Sequence, residues 1–150
     1  MTSPSPRPKD KPPSPAVPDY FIMFDGGSRG NPGFGYGSYL LVRSSDRKQD
    51  IKRIEFGDGK TNNEAEYGAL LAALQDLIER ITSTDRDPGS YSVRIAGDSA
   101  LVVNQVNGRW KTRNDRMAAL CAQARQLLRR FRAWHLIHQP RDESVRTLGH

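Results

Sequence analysis

A change in the spacing of apolar residues divides the chain and limits the folds open to it. Residues 67–81 carry apolar side chains at every third or fourth position, which predicts one amphipathic helix after Gly59. Before Gly59, apolar segments bounded by turn residues predict strands at 19–25, 36–42 and 51–56. Three strands followed by a helix are typical of an α/β domain that begins with an antiparallel meander.

The rest of the chain predicts two more strands that alternate with helices. A fourth strand is expected at 91–96, and a short helix is expected from Gly97 through Val106. A longer helix follows at 114–131, and a fifth strand at 134–139. Connections that pass through a helix bring strands back in parallel. We therefore expect a five-stranded mixed sheet, a three-stranded antiparallel meander plus parallel strands, flanked by helices.

Glycine and turn residues set the expected boundaries of the first strands. Five glycines fall within residues 26–35, so no regular structure is expected before Tyr36. Residues 44–46 and 57–59 contain the small and polar residues of tight turns. They predict short hairpin connections between the first strands and ahead of the long helix.

Composition separates a tail from one folded domain. Residues 1–18 are rich in Ser, Pro and Lys, so we expect a disordered tail before a domain at 19–150. No stretch has the apolar length of a secretory signal or a membrane span, so a cytoplasmic location is expected. The net charge of +6 favours polyanionic partners, nucleic acid before an anionic membrane surface. The single cysteine, Cys121, excludes an internal disulfide and is expected to pack in the core.

Three acidic residues stand where a carboxylate is costly unless it meets a cation. Asp25 ends the apolar run of the first strand, Asp98 closes the fourth, and Glu66 borders the apolar stripe of the long helix. A carboxylate at the end of a buried strand loses hydration, and several held together repel one another unless an ion neutralises them. Because oxygen ligands of this kind suit Mg²⁺ or Mn²⁺, the sequence predicts a divalent-metal site.

Four motifs, taken in order, resemble those of the type 1 ribonuclease H family, and chiefly its compact bacterial and archaeal members. They are FDGGSRGNPG at 24–33, TNNEAEY at 61–67, GDS at 97–99 and HQPRDESV at 138–145. Each motif alone is weak, but all four on matching elements are specific. The resemblance implies a ribonuclease H-like fold over roughly residues 20–145.

The resemblance also implies an activity. Family members hydrolyse the RNA strand of RNA/DNA hybrids and leave 3′-hydroxyl and 5′-phosphate ends, with double-stranded RNA as a further substrate to be tested. Two divalent cations, Mg²⁺ or Mn²⁺, are implied: Asp25 bridges both, and Glu66 and Asp98 hold the ion at the leaving group. Glu66 is also placed to accept a hydrogen bond from the ribose 2′-hydroxyl. A monomer without a membrane partner is expected.

Five residues match family positions that touch the substrate, namely Gly26, Asn31, Thr61, Asn62 and Asn63. The polar residues correspond to contacts with the phosphate backbone and the minor groove, and a glycine lets a backbone approach closely. Thr61, Asn62 or Asn63 can also cap the long helix. Recognition is therefore expected to depend on the shape of the hybrid duplex. The link between the two late helices is too short for the basic protrusion of some relatives.

The sequence departs from the family pattern at its fourth carboxylate. Ungapped alignment puts Leu148 at that position, and no acidic residue follows Glu143 before His150. With a shift of two residues, His150 can bind a metal through a neutral imidazole nitrogen or move a proton. His150 is therefore a candidate catalytic residue and metal ligand, and Asp142 or Glu143 is an alternative for the same role.

Two other functions stay open on the sequence alone. The absent fourth carboxylate favours a module that binds hybrids or double-stranded RNA with weak or no cutting. Against it, three carboxylates facing a polyanion would weaken a pure binding protein. A nuclease of the same fold that acts on DNA junctions or single strands has no support from residues 61–63.

Some residues have structural interpretations beside the functional ones. Asp98 can cap the short helix, and Glu64 is expected to be a solvated residue of the first helical turn. His135 and His138 are expected to be packing or edge residues without a chemical role. Trp110 fits a contact with a sugar or phosphate and a lid on the core equally well.

Overall fold

Eight helices and strands form within residues 17–139, the part of the chain that the computed structural model describes. The strands are β1 (Tyr20–Gly30), β2 (Gly33–Arg43), β3 (Lys48–Lys60), β4 (Ser92–Gly97) and β5 (Ala133–His138). The helices are α1 (Asn62–Thr82), α2 (Ala100–Val106) and α3 (Asp115–Leu128), and a short 3₁₀ turn, Pro88–Ser90, precedes β4. Every predicted helix and strand is present, in the predicted order.

The sheet is mixed, which confirms the predicted fold class. Its strand order is β3-β2-β1-β4-β5. β2 pairs antiparallel with β1 and β3, whereas β4 pairs parallel with β1 and β5. The parallel pairs arise because helices connect β3 to β4 and β4 to β5. The ladder between β1 and β4 ends at the pair Phe24 and Gly97, and the two strands part beyond it.

The glycine-rich segment is strand, so the prediction of irregular structure before Tyr36 is wrong. β1 continues to Gly30 and β2 begins at Gly33, on either side of the turn Asn31–Pro32. An antiparallel ladder is held by backbone hydrogen bonds, and glycine enters it where a neighbour needs the space. A Cβ on Gly27 would lie 2.8 Å from the Tyr36 hydroxyl oxygen, so this glycine makes room for the tyrosine side chain.

Two further boundaries differ from the prediction. β3 includes residues 57–59, which the sequence predicts as a turn. The φ angles of Gly57 and Gly59 are 90° and 75°, and the register with β2 shifts on both sides of Gly35, so this end of the ladder is irregular. α3 ends at Leu128, before the predicted end at Phe131.

The core lies between α1 and one face of the sheet. The apolar stripe of α1 is buried from Ala65 to Ile81 and packs against a set of strand residues that includes Ile22, Phe24, Tyr39, Leu41, Val93, Ile95 and Leu136. α3 closes the core on the other side of α1, and its Cys121 is 3% exposed, which confirms the predicted core role.

Some predictions concern residues outside 17–139. The predicted tail is described only at Val17 and Pro18, which precede β1. Leu148 and His150, with Asp142 and Glu143, also lie outside the described residues. No helix within the described part is long and apolar enough to cross a membrane.

Candidate metal centre

Three carboxylates meet where β1 and β4 part. Asp25 lies inside β1 rather than at its predicted end, but it is the first residue beyond the ladder with β4. Asp98 directly follows the last residue of β4, and Glu66 lies in the first turns of α1. One carboxylate oxygen of each residue lies within 4.8 Å of those of the other two. The structure therefore brings together the three acidic residues that the sequence selects.

The chemistry of this donor set fits a hard divalent cation. Asp25 is 3% exposed, and Glu66 and Asp98 are half-buried. Carboxylates this close repel one another when charged, and a cation removes that repulsion. Their oxygens are the ligands that Mg²⁺ and Mn²⁺ prefer. Asp25, Glu66 and Asp98 can therefore hold a metal, whereas the predicted ligand His150 lies outside the described residues.

Gly26 lets α1 approach β1 closely enough for Glu66 to reach Asp25. A Cβ on Gly26 would lie 2.4 Å from the Ala65 carbonyl oxygen and 2.7 Å from the Glu66 nitrogen. Any side chain here would push the first turns of α1 away from the strand. The Gly26 N–H also donates to Asp25 Oδ1 at 2.9 Å, which orients that carboxylate. Gly26 thus has a packing role in addition to its predicted place among the substrate contacts.

The end of β5 holds the backbone of Asp98. The Gln139 N–H donates to the Gly97 carbonyl at 2.7 Å, and Nε2 of His138 lies 3.2 Å from the Asp98 carbonyl oxygen. The N-cap of α2 is Ser99, whose hydroxyl accepts an N–H of the first turn. The interpretation of Asp98 as the helix cap is therefore wrong, because Asp98 lies one residue before the cap and belongs to the carboxylate cluster.

Two asparagines predicted as substrate contacts also brace the site. Asn31 Oδ1 accepts the N–H of Asn62 at 3.1 Å, and Asn62 Oδ1 accepts the N–H of Ser28 at 2.8 Å. These bonds tie the end of β1 and the turn after it to the first turn of α1. Because both amide oxygens are used inside the protein, the NH₂ groups are the part of each amide that a substrate acceptor can meet.

A capping box and an ion pair fix the start of α1. Thr61 is the N-cap: its hydroxyl accepts the Glu64 N–H at 3.1 Å, and Glu64 Oε1 accepts the Thr61 N–H at 2.8 Å. Arg116 of α3 donates to the other Glu64 oxygen at 2.7 Å. The Glu64 side chain is 8% exposed, so the prediction of a solvated residue is wrong. A surface depression beside the pair is lined by Asn31, Thr61, Asn63 and Asn114.

The ion pair makes stability depend on pH in a testable way. Burial alone would raise the pKa of Glu64, but hydrogen bonds from the Thr61 N–H and from Arg116 lower that pKa below its ordinary value of 4.5. A carboxyl with a lowered pKa in the folded state stabilises the fold above its ordinary pKa, and this stabilisation is lost as the pH falls through the lowered value. Glu64→Gln keeps a capping oxygen but removes the charge. It should cost about 1 kcal/mol of unfolding free energy at neutral pH.

The measurement is chemical denaturation of both proteins from neutral pH down into the acid range. The difference between wild type and Glu64→Gln should shrink as the pH falls through the lowered pKa of Glu64. A difference that stays constant across the range would show that the ionised form of Glu64 contributes nothing.

Trp110 is exposed, which excludes one of its two interpretations. The side chain lies in the link between α2 and α3 and is 50% exposed, so it is not a lid on the core. It lines a depression together with Lys111 and Arg113. An aromatic ring beside cations is a surface on which a base or sugar can rest. The substrate contact of Trp110 stays a prediction.

The residues that position the cluster were not predicted from the sequence. Glu64 and Arg116 are 52 positions apart, so no local pattern links them. Tyr67 donates to the buried Gln105 Oε1 at 2.7 Å, which ties α1 to α2 behind the site. A glutamate three residues after a capping threonine was a readable signal, because it is the pattern of a capping box.

Comparison with known proteins gives one consistent family. A family model described as "Reverse transcriptase-like" matches residues 23–146. The ribonuclease HI of Halobacterium salinarum is 37% identical over 124 residues, which cover 83% of this chain and 58% of the relative. The chain thus spans less than two thirds of the length of this curated relative.

Solved structures share the fold. The crystal structure of RNase H1 from Halobacterium salinarum matches with a TM-score of 0.71 and 35% identity, over 85% of this chain and 89% of that chain. LC11-RNase H1, solved in complex with an RNA/DNA hybrid, matches with a TM-score of 0.72 and 27% identity, over 85% and 89% of the two chains.

Proposed function

Because the chain belongs to the type 1 ribonuclease H family, we propose that it hydrolyses the RNA strand of RNA/DNA hybrids as a metal-dependent endonuclease. The observation that carries the proposal is the cluster of Asp25, Glu66 and Asp98, with ligand atoms within 4.8 Å of one another. The hybrid bound to LC11-RNase H1 supports the choice of substrate. Double-stranded RNA is a second substrate to test.

The three carboxylates would hold two divalent cations, Mg²⁺ or Mn²⁺. When bound, such ions lower the pKa of water so that hydroxide attacks phosphorus at neutral pH, and they stabilise the leaving 3′-oxygen. Burial of Asp25 and the hydrogen bond from the Gly26 N–H keep that carboxylate in one orientation. Glu66 would also accept from the ribose 2′-hydroxyl, which DNA lacks. The products would carry 5′-phosphate and 3′-hydroxyl ends.

Substrate recognition is proposed to use the surface next to the cluster. The amide NH₂ groups of Asn31, in the turn after β1, and of Asn62, at the start of α1, are donors beside the site, and Thr61 and Asn63 flank Asn62. Minor-groove acceptors and phosphate oxygens are the groups they would meet. The net charge of +6 favours approach to a polyanion. Monomeric state and cytoplasmic location stay predictions.

A binding module that does not cut is the alternative. It is favoured by Leu148, which stands where the family has its fourth carboxylate. The close approach of Asp25, Glu66 and Asp98 favours the nuclease, because carboxylates held this close repel both each other and a phosphate backbone unless a cation is bound.

The two functions are separated by cleavage assays on the full chain. Labelled RNA/DNA hybrid, double-stranded RNA, double-stranded DNA and single-stranded RNA are incubated with Mg²⁺ or Mn²⁺, and the product ends are identified. The nuclease cuts the RNA strand of the hybrid and leaves 5′-phosphate ends. Tight binding of the hybrid without cutting under either metal would establish the binding module instead.

His150 is proposed as the fourth functional group. A neutral imidazole can bind a metal or move a proton, which are the tasks a fourth carboxylate would share. His150→Ala should lower kcat by about tenfold to a hundredfold with the hybrid affinity unchanged. His135→Ala is the matched control, because His135 lies on β5 and is assigned no chemistry. Equal rates for His150→Ala and wild type would show that His150 is not the fourth functional group, which leaves Asp142, Glu143 or the three carboxylates alone.

A further inference from the structure

Arg29 and Asp25 leave β1 on the same side of its pleat. β1 pairs with β2 in an unbroken register from Tyr20 to Gly30, so residues 25, 27 and 29 project to one side. Residue 27 is glycine, so β1 has no side chain between Asp25 and Arg29 on this side. Four residues of strand place Arg29 about 13 Å from Asp25 along this side, on the arm of the β1–β2 hairpin that extends beyond the carboxylate cluster.

Two aromatic rings hold the Arg29 guanidinium in place. Its central carbon lies 5.4 Å from the ring centroid of Phe34 and 5.4 Å from that of Tyr36. Phe34 is the cross-strand partner of Arg29, and Tyr36 is the partner of Gly27. The lack of a Cβ on Gly27 makes room for the tyrosine. Cation–π attraction keeps the group ordered without neutralising its charge.

Arg29 differs in this respect from three ion-paired arginines of the fold. Arg43 pairs with Asp46, Arg80 with Asp50 and Asp76, and Arg116 with Glu64, as the ion pairs show. Within residues 17–139, neither a hydrogen bond nor a carboxylate engages the Arg29 guanidinium, and the residue is exposed. Its charge and its N–H donors therefore stay available to an anionic ligand.

We propose that Arg29 binds a backbone phosphate of the hybrid a few nucleotides from the scissile bond, with Phe34 and Tyr36 as the platform that orients it. The inference rests on the proposed function, since a duplex whose scissile phosphate lies at the Asp25 cluster would also pass the hairpin arm. A phosphate contact positions the duplex without reading its sequence. Arg29 is thus a positioning residue for the substrate and has no part in the chemical step.

The test is the salt dependence of hybrid binding by the full chain in EDTA, where cleavage is prevented. Arg29→Met should lower the slope of log affinity against log salt concentration by about 1, as for one lost phosphate contact. In Mg²⁺ its KM should rise severalfold while kcat stays the same. Arg130→Met is the matched control, because this exposed arginine lies just before β5, at the end of the sheet opposite the cluster.

Two more variants separate charge from orientation. Arg29→Lys should keep most of the salt slope, and Phe34→Leu should weaken binding while the charge at residue 29 remains. If wild type binds the hybrid and Arg29→Met matches Arg130→Met in slope and KM, the inference is overturned and the proposed function stands. If wild type does not bind the hybrid at all, both the inference on Arg29 and the proposed function are wrong.

Discussion

Replacing Asp25 with asparagine is expected to abolish cleavage of the RNA/DNA hybrid while the fold is retained. Asp25 is the most buried member of the carboxylate cluster and lies where β1 and β4 part. An amide of the same shape keeps the packing but removes one anionic ligand from the metal site. Changing even a group that supports a metal ligand costs about tenfold to a hundredfold in activity. Loss of the ligand itself should exceed a hundredfold.

Although its activity should be lost, the same variant is expected to be at least as stable as wild type without metal. Without metal, the charges of Asp25, Glu66 and Asp98 repel one another, so Asp25→Asn should unfold at the same temperature as wild type or higher in EDTA. Asp85→Asn is the matched control: Asp85 is exposed, with φ of 63° that asparagine also accepts. Wild-type rates for Asp25→Asn, with Asp85→Asn also at wild-type rate, would contradict the metal-site proposal.

Gly26→Ala is expected to have the second largest effect, through the packing of α1 against β1. The new Cβ would lie 2.4 Å from the Ala65 carbonyl oxygen, and backbone cannot yield as a flexible side chain does. The first turns of α1 must shift and carry Glu66 with them. Overpacking of this kind costs about 1–3 kcal/mol of unfolding free energy, and a shift of about 1 Å in a reacting group can cost a hundredfold in rate.

The measurements for Gly26→Ala are hybrid cleavage and chemical denaturation, beside Gly89→Ala. The three heavy atoms nearest to a Cβ on Gly89 would be Asp87 side-chain atoms at 3.4 Å or more, which is ordinary contact. Gly89→Ala should therefore stay close to wild type in both readouts. If Gly26→Ala also retains wild-type rate and stability, the close approach of α1 does not position Glu66.

Most of the fold could be predicted because hydrophobic periodicity is a local signal. The stripe from Tyr67 to Ile81 requires a helix, and the apolar runs on either side require strands. The hairpin arm from Gly26 to Gly35 could not be read in this way. Its ladder is held by backbone hydrogen bonds and by the fit of Tyr36 over Gly27, neither of which leaves an apolar pattern.

The same distinction between local and long-range signals applies to the candidate site. Asp25, Glu66 and Asp98 could be selected because each carboxylate stands at the border of an apolar segment, where its desolvation needs a reason. The groups that position these carboxylates could not be selected from the sequence. The Glu64–Arg116 ion pair and the bond between Tyr67 and Gln105 join residues distant in sequence. They exist only once the helices are packed.

The most decisive test of the proposed nuclease is the metal dependence of hybrid cleavage by the full chain. A hybrid labelled on both strands is incubated after treatment with EDTA, and then with Mg²⁺ or Mn²⁺ restored. The expectation is no cleavage in EDTA, and cleavage of the RNA strand alone once either ion is added, in wild type but not in Asp25→Asn. Cleavage that persists in EDTA, or that cuts the DNA strand equally, would contradict it.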